Sequence, residues 1–443
     1  MSRIRIQGGA CLQGETVIQG SKNAALPIMA AAVIHKGCTV LHRCPKIADV
    51  FVMEGILKKL GAQTSWEGHS LILDCRNIHS FCISSCETEK MRASILLAGS
   101  LLTREKRAAM GYPGGCVIGS RPIDVHLEIL SRMGVCRREN DGRLMMTADC
   151  LHGIRYRFER RSVGATENAV LAAVGAKGWT VLENAACEPE VIALCGFLRK
   201  MGVKICADGR GMICIMGGCE LSDTEYVIPP DRIAAGTLLM AGAAVRGQVT
   251  LCEAPLGQLD SLLALYQKMG GQYLVSGGTL KADSRGVQWA LPLTETASYP
   301  GFPTDMQPLL MAVCCTLQGE SMIRETIFEN RFRTALELRK MGARIRIDRH
   351  NAWIEGPSVL KGCRVEASDL RAGAALVIAA LCAEGETIID SCEYIERGYE
   401  NLYENINLLG GRIRRENDGV DETEITGKSE KNKTEVTGKS GNF

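Results

Sequence analysis

The chain repeats one pattern of apolar and polar positions six times. In each copy a segment rich in Leu, Lys and Met, such as LRKMG at 198–202, ends at a glycine. The spacings between successive glycines are 73, 68, 68, 72 and 68 residues. Glycine is favoured where a helix ends and the backbone needs a positive φ, so each copy predicts a helix end followed by a strand. The six glycines are Gly61, Gly134, Gly202, Gly270, Gly342 and Gly410.

A second helix is predicted in every repeat, because a run of small apolar residues recurs with the same period. Each repeat therefore reads as helix, strand, helix, strand, with β-rich stretches such as 180–182 and 387–389. Six such units favour closed α/β domains over a helical solenoid, whose repeats are shorter and lack a strand at every junction. The small-residue runs begin near Lys22, Arg92, Ala165, Asp231, Asp305 and Asp369.

Length and charge narrow the class of protein. A chain of 443 residues is too long for one ordinary core, so two domains are expected. Its 52 Lys and Arg residues balance 50 Asp and Glu residues, which gives no electrostatic case for nucleic acid or an anionic membrane as a partner. The longest apolar runs, at 24–34 and 372–381, are too short to span a bilayer, and residues 1–9 lack the apolar core of a signal peptide. We therefore expect a cytoplasmic protein.

The chain contains twenty cysteines, mostly inside apolar segments such as 313–315. Disulfide frameworks belong to short secreted proteins, so most of these thiols are expected to be reduced and buried. Two clusters come closest to a zinc site, but neither has the paired spacing of a structural zinc site, and no metal is predicted. They are Cys38 with His42 and Cys44, and Cys82 with Cys86.

Charged residues stand at the start of several small-residue helices. Helix N-termini present free N–H groups, and with nearby cations they can bind an anionic small molecule. For any one of these positions, an ordinary cap with a solvated neighbour explains the sequence as well. Five at equivalent places in the repeat favour a shared anion site. They are Lys22, Arg92, Arg232, Asp305 and Arg371.

The segment GYPGGCVIGSRPIDVH at 111–126 places Cys116 among three glycines and five residues before Arg121. The glycines predict a loop whose backbone can approach a ligand closely. Loop placement and a nearby cation lower the pKa of a thiol and make it reactive. From this segment alone, an ordinary turn cysteine is as well supported as a reactive one. A Cys–His acyl-transfer site is a further alternative, although no nucleophile motif accompanies it.

Ten ordered motifs across residues 1–415 resemble those of UDP-N-acetylglucosamine 1-carboxyvinyltransferases, a group within the enolpyruvyl transferase family. The related 5-enolpyruvylshikimate-3-phosphate synthases lack the cysteine loop and this sugar-nucleotide set. The motifs are QGSKNAALP (19–27), MRAS (91–94), GGCVIGSRPIDVH (114–126), SVGATEN (162–168), NAACEPE (184–190), PPDRI (229–233), YPGFPTDMQ (299–307), ENRF (329–332), DLRA (369–372) and ERGYE (396–400).

The resemblance implies a fold of two inside-out α/β barrels, each of three repeats of about 70 residues, with helix N-termini facing the cleft between them. The first domain would comprise residues 22–229 and carry the Cys116 loop. The second would comprise residues 1–21 and 230–415. From 416 to 443 the composition shifts to Glu, Lys, Thr, Gly and Ser, which predicts a disordered charged tail.

The implied reaction adds the 3-hydroxyl of UDP-N-acetylglucosamine to C2 of phosphoenolpyruvate while C3 is protonated, and then expels phosphate. This is the first committed step of peptidoglycan precursor synthesis, and it needs no metal or redox cofactor. By motif, Cys116 would be the acid at C3, would form a covalent adduct with phosphoenolpyruvate, and would be the target of fosfomycin. Asp305 would contact the 3-hydroxyl, either as general base or, since an ordinary carboxylate is a weak base for an alcohol, as an orienting group.

The same resemblance assigns the other site residues. The predicted catalytic set is Cys116, Asp305, Lys22 and Arg397. Lys22, Arg121 and Arg397 would hold the phosphate and carboxylate of phosphoenolpyruvate, and Arg92, Arg331 and Arg371 would add positive potential. Asn23 and Ile327 would contact the sugar. Uridine and diphosphate would contact Arg121, Pro122, Ile123, Asp124, Val125, Arg160, Ser162, Val163 and Gly164.

Two positions depart from the family pattern. Ala234 stands where glutamate is common, which would alter the polar support around Lys22, and Arg333 adds a cation after the ENRF motif. A paralogue that binds the sugar nucleotide without catalysis is the alternative function, but every expected catalytic residue is present. A monomer is expected, because no repeat shows an unusually apolar face.

Overall fold

The computed structural model describes residues 2–115, 118–119 and 122–416. Cys116 and Arg121, together with the predicted tail beyond residue 416, lie outside the described residues. The α-helices are α1 (Lys22–Ala32), α2 (Ala48–Leu60), α3 (Ser85–Thr88), α4 (Leu96–Glu105), α5 (Asp124–Arg132), α6 (Val163–Val174), α7 (Pro189–Lys200), α8 (Arg232–Ala244), α9 (Asp260–Lys268), α10 (Gln307–Cys314), α11 (Thr334–Lys340), α12 (Leu370–Cys382), α13 (Glu393–Glu396) and α14 (Leu402–Leu408). Short 3₁₀ helices span Arg92–Ile95, Thr304–Met306 and Arg331–Arg333.

The strands are short and evenly distributed along the chain. They are β1 (Arg3–Gln7), β2 (Gln13–Val17), β3 (Cys38–His42), β4 (Gln63–Glu67), β5 (Ser70–Asp74), β6 (Cys82–Ile83), β7 (Arg107–Gly111), β8 (Cys136–Asn140), β9 (Arg143–Thr147), β10 (Arg155–Arg157), β11 (Trp179–Glu183), β12 (Lys204–Ala207), β13 (Ile213–Met216), β14 (Thr224–Val227), β15 (Gln248–Cys252), β16 (Gln272–Ser276), β17 (Thr279–Asp283), β18 (Thr294–Glu295), β19 (Gly319–Arg324), β20 (Arg344–Asp348), β21 (Asn351–Gly356), β22 (Arg364–Glu366), β23 (Glu386–Asp390) and β24 (Ile413–Glu416).

The predicted sixfold repeat is confirmed. All six repeat glycines have positive φ, between 99° and 114°, and a strand begins two or three residues after each of them. The small-residue helices also begin where the sequence places them. When the 3₁₀ turns that precede α4 and α10 are counted as helix starts, the largest offset is at α6, which begins at Val163, two residues before the predicted Ala165.

Each repeat carries more strands than the sequence predicts. The strands in the described ranges form six four-stranded sheets, each with one parallel pair and two antiparallel pairs. The prediction of two strands per repeat missed strands such as β6, whose two residues are too few to show an alternation of apolar and polar positions. The sheet orders are β14-β3-β5-β4, β6-β7-β9-β8, β10-β11-β13-β12, β16-β17-β15-β2, β18-β19-β21-β20 and β22-β23-β1-β24.

The small-residue helices form the interior, and the sheets lie outside them. All thirteen residues of α8 are buried, as expected for a helix that is apolar on every face. Glycine and alanine let such helices approach closely. A Cβ atom on Gly99 of α4 would lie 2.6 Å from the backbone oxygen of Asn168 in α6, and the Gly99 N–H donates to the Asn168 Oδ1 at 2.8 Å. The fold class of two inside-out α/β barrels is confirmed.

The buried apolar side chains fall into two clusters. One includes residues between Ala24 and Ile228, and the other combines residues 4–18 with residues 233–413. We call residues 22–229 the first half, and residues 2–21 with 230–416 the second half. This distribution supports the predicted domain boundaries, which stay a prediction.

Two chain segments connect the halves, and they lie side by side. Gly20 and Pro230 form an antiparallel bridge. The Ser21 N–H donates to the Pro229 carbonyl at 2.8 Å, and the Asp231 N–H donates to the Gln19 carbonyl at 2.9 Å. The connection is therefore double and internally hydrogen-bonded.

The cysteines correct one expectation. The nineteen cysteines in the described ranges are all free, but only seven are buried, while seven are half-buried and five are exposed. The expectation that most are buried is wrong. Across the described residues, no group of three or more His, Cys, Asp or Glu side chains could hold a metal ion. Within the same ranges, every helix is too short or too polar to cross a membrane.

Candidate active site

A central cavity of about 1060 Å³ lies between the two halves. All six interior helices, or the 3₁₀ turns that precede them, contribute residues from their N-termini to its wall. Six sets of free N–H groups and positive dipole ends therefore point at one space, which favours anions. The contributing residues, one from each helix start, are Lys22, Arg92, Ser162, Arg232, Asp305 and Arg371.

Side-chain caps fix where these helices begin. Ser21 and Ser162 each accept a hydrogen bond from the amide three residues on. Asp231 does more, because its Oδ1 accepts from the amides of Ile233 and Ala234 while its Oδ2 accepts from the Lys22 N–H at 3.1 Å. One carboxylate therefore ties the start of α8 to the start of α1.

The two departures from the family pattern have different positions. The Ala234 side chain is buried in the core of the second half, and its amide is one of those that Asp231 binds. The backbone of Lys22 keeps its polar support through Asp231. Arg333 is exposed and does not belong to the cavity wall.

Asp49 joins the two halves at the cavity wall. Its carboxylate lies 2.8 Å from the Lys22 Nζ and 2.9 Å from the Arg397 Nε, and it is 4% exposed. Burial alone would raise the pKa of Asp49, but Lys22 and Arg397 outweigh that effect and lower the pKa. Asp49 therefore stays ionised and holds the two cations in fixed positions.

Replacing Asp49 with asparagine is expected to lower the free energy of unfolding at pH 7 by about 3 kcal/mol, because two largely buried cations lose their counter-ion. The pKa of Asp49 is lower in the folded protein than its value of about 3.9 in the unfolded chain, so the ionised carboxylate stabilises the fold at pH values above about 3.9. This stabilisation is lost as the pH falls through the pKa of the folded protein. The difference between wild type and variant should therefore narrow as urea unfolding is measured from pH 7 toward pH 3.

The matched control for this prediction is Asp74→Asn, which breaks an exposed pair with Arg76. Exposed pairs contribute little to stability, so this variant should lose less than Asp49→Asn. Equal losses from both variants, or a difference that does not depend on pH, would contradict the role given to Asp49.

Asp305 lies between two arginines from the second half. Its Oδ1 is 2.9 Å from the Arg331 Nη2, and its Oδ2 is 3.0 Å from the Arg371 Nη2. Burial would raise the pKa of Asp305, but Arg371 and Arg331 hold it well below its usual range. Burial would likewise lower the pKa of Arg371, which Tyr399 and Asp305 instead raise. The group is a cluster of paired opposite charges, which also includes the buried Asp369 at 3.8 Å from Arg331.

An acidic group forms another part of the wall. Arg232 pairs with Glu190, with the Nε and Oε1 atoms 2.9 Å apart. Glu167 is 5% exposed and also lines the cavity. Burial, together with the neighbouring Glu190 and Glu188, raises the pKa of Glu167 well above its ordinary value. This environment favours the neutral, protonated form of the Glu167 carboxyl group.

The structure brings most of the predicted site residues to the cavity wall. Ile123 is the exception among those described, since its side chain packs in the core of the first half. Cys116 and Arg121 lie outside the described residues, although their neighbours Gly115, Ile118 and Pro122 line the cavity. The other predicted residues on the wall are Lys22, Asn23, Arg92, Asp124, Val125, Arg160, Ser162, Val163, Gly164, Asp305, Ile327, Arg331, Arg371 and Arg397.

Some wall residues were missed by sequence reasoning. Asp49 lies in the first turn of α2, and nothing in its local pattern marks it as a partner of residues 27 and 348 positions away. Arg232 was among the five charged helix starts whose repeat positions favour a shared anion site, but the family resemblance gave it no role.

Comparison with known proteins adds independent information. Residues 6–406 match the family model of EPSP synthase (3-phosphoshikimate 1-carboxyvinyltransferase). UDP-N-acetylglucosamine 1-carboxyvinyltransferase 2 of Caldanaerobacter subterraneus subsp. tengcongensis is 41% identical over 94% of this chain and 100% of its own length. The UDP-N-acetylglucosamine 1-carboxyvinyltransferase of Desulfovibrio desulfuricans is 40% identical over 94% of this chain and 100% of its own length.

Two solved structures share the fold. The enolpyruvyl transferase NikO from Streptomyces tendae superposes with a TM-score of 0.85 at 25% identity, covering 94% of this chain and 99% of its own. EPSP synthase from Acinetobacter baumannii superposes with a TM-score of 0.72 at 17% identity, covering 94% of this chain and 100% of its own. The second likeness concerns the fold alone.

Proposed function

We propose that this chain, which belongs to the EPSP synthase family of enolpyruvyl transferases, transfers the enolpyruvyl group of phosphoenolpyruvate to the 3-hydroxyl of UDP-N-acetylglucosamine. The observation that carries the proposal is the convergence of Lys22, Arg331, Arg371 and Arg397 around Asp49 and Asp305 on a wall built from six helix N-termini. Relatives of that activity, 40–41% identical over nearly the whole chain, support the choice of acceptor. The product would enter peptidoglycan precursor synthesis.

The phosphate and carboxylate of phosphoenolpyruvate would bind at Lys22 and Arg397, with Arg121 as a third cation. Lys22 comes from the first half and Arg397 from the second, and Asp49 already holds both in place. Fixed cations in a partly enclosed space stabilise developing negative charge without reorganising during the reaction. This arrangement suits the charge that builds up as phosphate leaves.

In the addition step, the acceptor oxygen would bond to C2 while Cys116 gives its proton to C3. Phosphate would then leave from C2 as C3 loses a proton, which regenerates the double bond. The acceptor hydroxyl would release its own proton to solvent through the open cavity in the first step, and the proton that C3 loses in the second step would return to the Cys116 thiolate. Two arginines hold the pKa of Asp305 low, which makes its carboxylate a weak base. Asp305 would therefore orient the hydroxyl rather than abstract its proton.

The sugar nucleotide would lie along the wall of the first half. Asn23 and Ile327, which both line the cavity, would contact the sugar, and Arg160 with residues 162–164, also on the wall, would contact uridine and diphosphate. The start of α6 offers free amides to the diphosphate. The proposed reaction draws on no metal or redox cofactor, and a cytoplasmic monomer remains our prediction.

Purified chain mixed with phosphoenolpyruvate and UDP-N-acetylglucosamine is expected to release inorganic phosphate, because the proposed reaction expels one phosphate per transfer. A colorimetric phosphate assay with each substrate omitted in turn is the measurement. Release should require both substrates.

Shikimate 3-phosphate in place of the sugar nucleotide is the control acceptor, and it should give no release. Turnover with that acceptor would contradict the proposed specificity. Tight binding of UDP-N-acetylglucosamine without any phosphate release would instead point to a binding protein without catalysis.

A further inference from the structure

Glu325 is a buried carboxylate that lies behind residues of the cavity wall and does not itself line the cavity. It follows strand β19, is 1% exposed, and is absent from the cavity wall. Four donors converge on it. Its Oε1 accepts from the Thr296 hydroxyl at 3.0 Å and from the amides of Ile327 and Phe328 at 2.8 and 3.2 Å, while its Oε2 accepts from the Thr304 hydroxyl at 3.0 Å.

Three of the four donors belong to two segments that both line the cavity. Thr304 opens the 3₁₀ turn that carries Asp305, and Ile327 and Phe328 form the wall beside it. Arg331, a few residues after Phe328, closes the connection by donating to the Thr304 carbonyl at 3.3 Å and to Asp305 at 2.9 Å. Glu325 and Arg331 therefore both hold the turn that carries Asp305.

The same segment also reaches the loop of the first half. The Asn330 N–H donates to the Ile118 carbonyl at 3.1 Å, and a Cβ atom on Gly119 would lie 2.4 Å from the Glu329 Oε2. The backbone that Glu325 holds is thus packed against the residues that flank Cys116 in the sequence. A shift of this segment would move groups on both sides of the cavity.

We infer that Glu325 is a positioning residue for the transfer, because it fixes the Asp305 turn relative to the Ile327 segment. This role rests on the proposed function. Charge-assisted hydrogen bonds are the strong ones, and four of them to a single buried carboxylate leave it little freedom. Since a misplacement of about 1 Å can cost about 100-fold in rate, small relaxations here should appear in turnover before they appear in folding.

The test uses substitutions that remove either one hydrogen-bond donor to Glu325 or the charge of Glu325 itself. Thr304→Val removes one hydroxyl at constant volume, whereas Thr304→Ser keeps that hydroxyl. Glu325→Gln keeps the shape of the side chain but removes the charge. Glu54→Gln is the matched control, because Glu54 is a buried carboxylate that accepts from Thr64 and Trp66 outside the cavity.

We expect kcat for phosphate release to fall about 10-fold in Thr304→Val and about 10- to 100-fold in Glu325→Gln. KM for UDP-N-acetylglucosamine should rise, since Asp305 and Ile327 would contact the sugar. KM for phosphoenolpyruvate should change by less than about twofold. Thr304→Ser should recover most of the kcat that Thr304→Val loses, and Glu54→Gln should keep the wild-type kcat even if it lowers the melting temperature.

A merely structural Glu325 would show the opposite pattern. In that case Glu325→Gln would lower the melting temperature as Glu54→Gln does. At temperatures where the variant stays folded, its kcat and both KM values would equal those of the wild type, and this result would overturn the proposal. If Glu325→Gln does not fold, an unchanged kcat in Thr304→Val would overturn it instead. Wild-type chain that releases no phosphate would refute the proposed function itself, and this role with it.

Discussion

Replacing Cys116 with alanine is expected to reduce phosphate release about 100- to 10,000-fold, which is the usual contribution of a positioned general acid. The variant lacks the proton that C3 must receive when the acceptor adds to C2. In the described ranges no cysteine lines the cavity, so no other thiol from those ranges is placed to substitute. Steady-state phosphate release by wild type and variant, at saturating concentrations of both substrates, is the measurement.

Cys136→Ala is the matched control, because Cys136 lies exposed on β8 and away from the cavity wall. It should keep the wild-type rate. Fosfomycin supplies a second readout, since we expect covalent addition at Cys116 and at no other thiol. Peptide mapping that finds the adduct on another cysteine, or turnover that survives in Cys116→Ala, would contradict the role of this residue.

Asp305→Asn is expected to lower kcat about 100- to 1,000-fold, because the amide cannot orient or deprotonate the acceptor hydroxyl as the carboxylate can. It also leaves Arg331 and Arg371 without the anion they share. Asp283→Asn is the control, since Asp283 pairs with Arg285 on an outer sheet and should not affect turnover. Retention of the wild-type kcat by Asp305→Asn would rule out both roles.

The pH profile of kcat tests the electrostatics of Asp305 separately. Arg371 and Arg331 lower its pKa, so it stays ionised well below the ordinary value of about 3.9. The wild-type rate should therefore show no acid limb from this group between pH 7 and pH 4. An acid limb near pH 4 that disappears in Asp305→Asn would contradict the lowered pKa.

The sequence predicted the features that depend on local signals. Helix-ending glycines and polar helix starts act over a few residues, which is why Gly61 and its five equivalents were identified together with most interior helices. The resemblance then supplied the candidate site, and most of those residues line one cavity. Their chemical roles remain predictions.

Features that depend on distant partners were not predictable. Asp49 acquires its importance from Arg397, which lies 348 residues away, and no local pattern encodes that contact. Glu325 is similar, because its four donors come from three separate turns of the chain. Such side chains become visible once the topology brings the segments together.

The error about cysteine burial has a physical reason in the fold. In most α/β proteins the sheet is covered by helices, so a strand cysteine is expected to be buried. Here the helices fill the interior and the sheets lie outside them. Exposed cysteines accordingly occur on outer strands, at Cys82, Cys136 and Cys206.

The double connection between the halves has a mechanical consequence. Two antiparallel segments joined at Gly20 and Pro230 resist twisting far more than a single tether would, because twisting would break the hydrogen bonds between them. Any opening of the two halves would therefore be a rotation about a single axis that runs along this connection. Lys22 and Asp231 lie next to that axis, where the Asp231 carboxylate accepts a hydrogen bond from the Lys22 N–H. In such a rotation the ammonium group of Lys22, close to the axis, would move less than the cavity residues that lie farther from it.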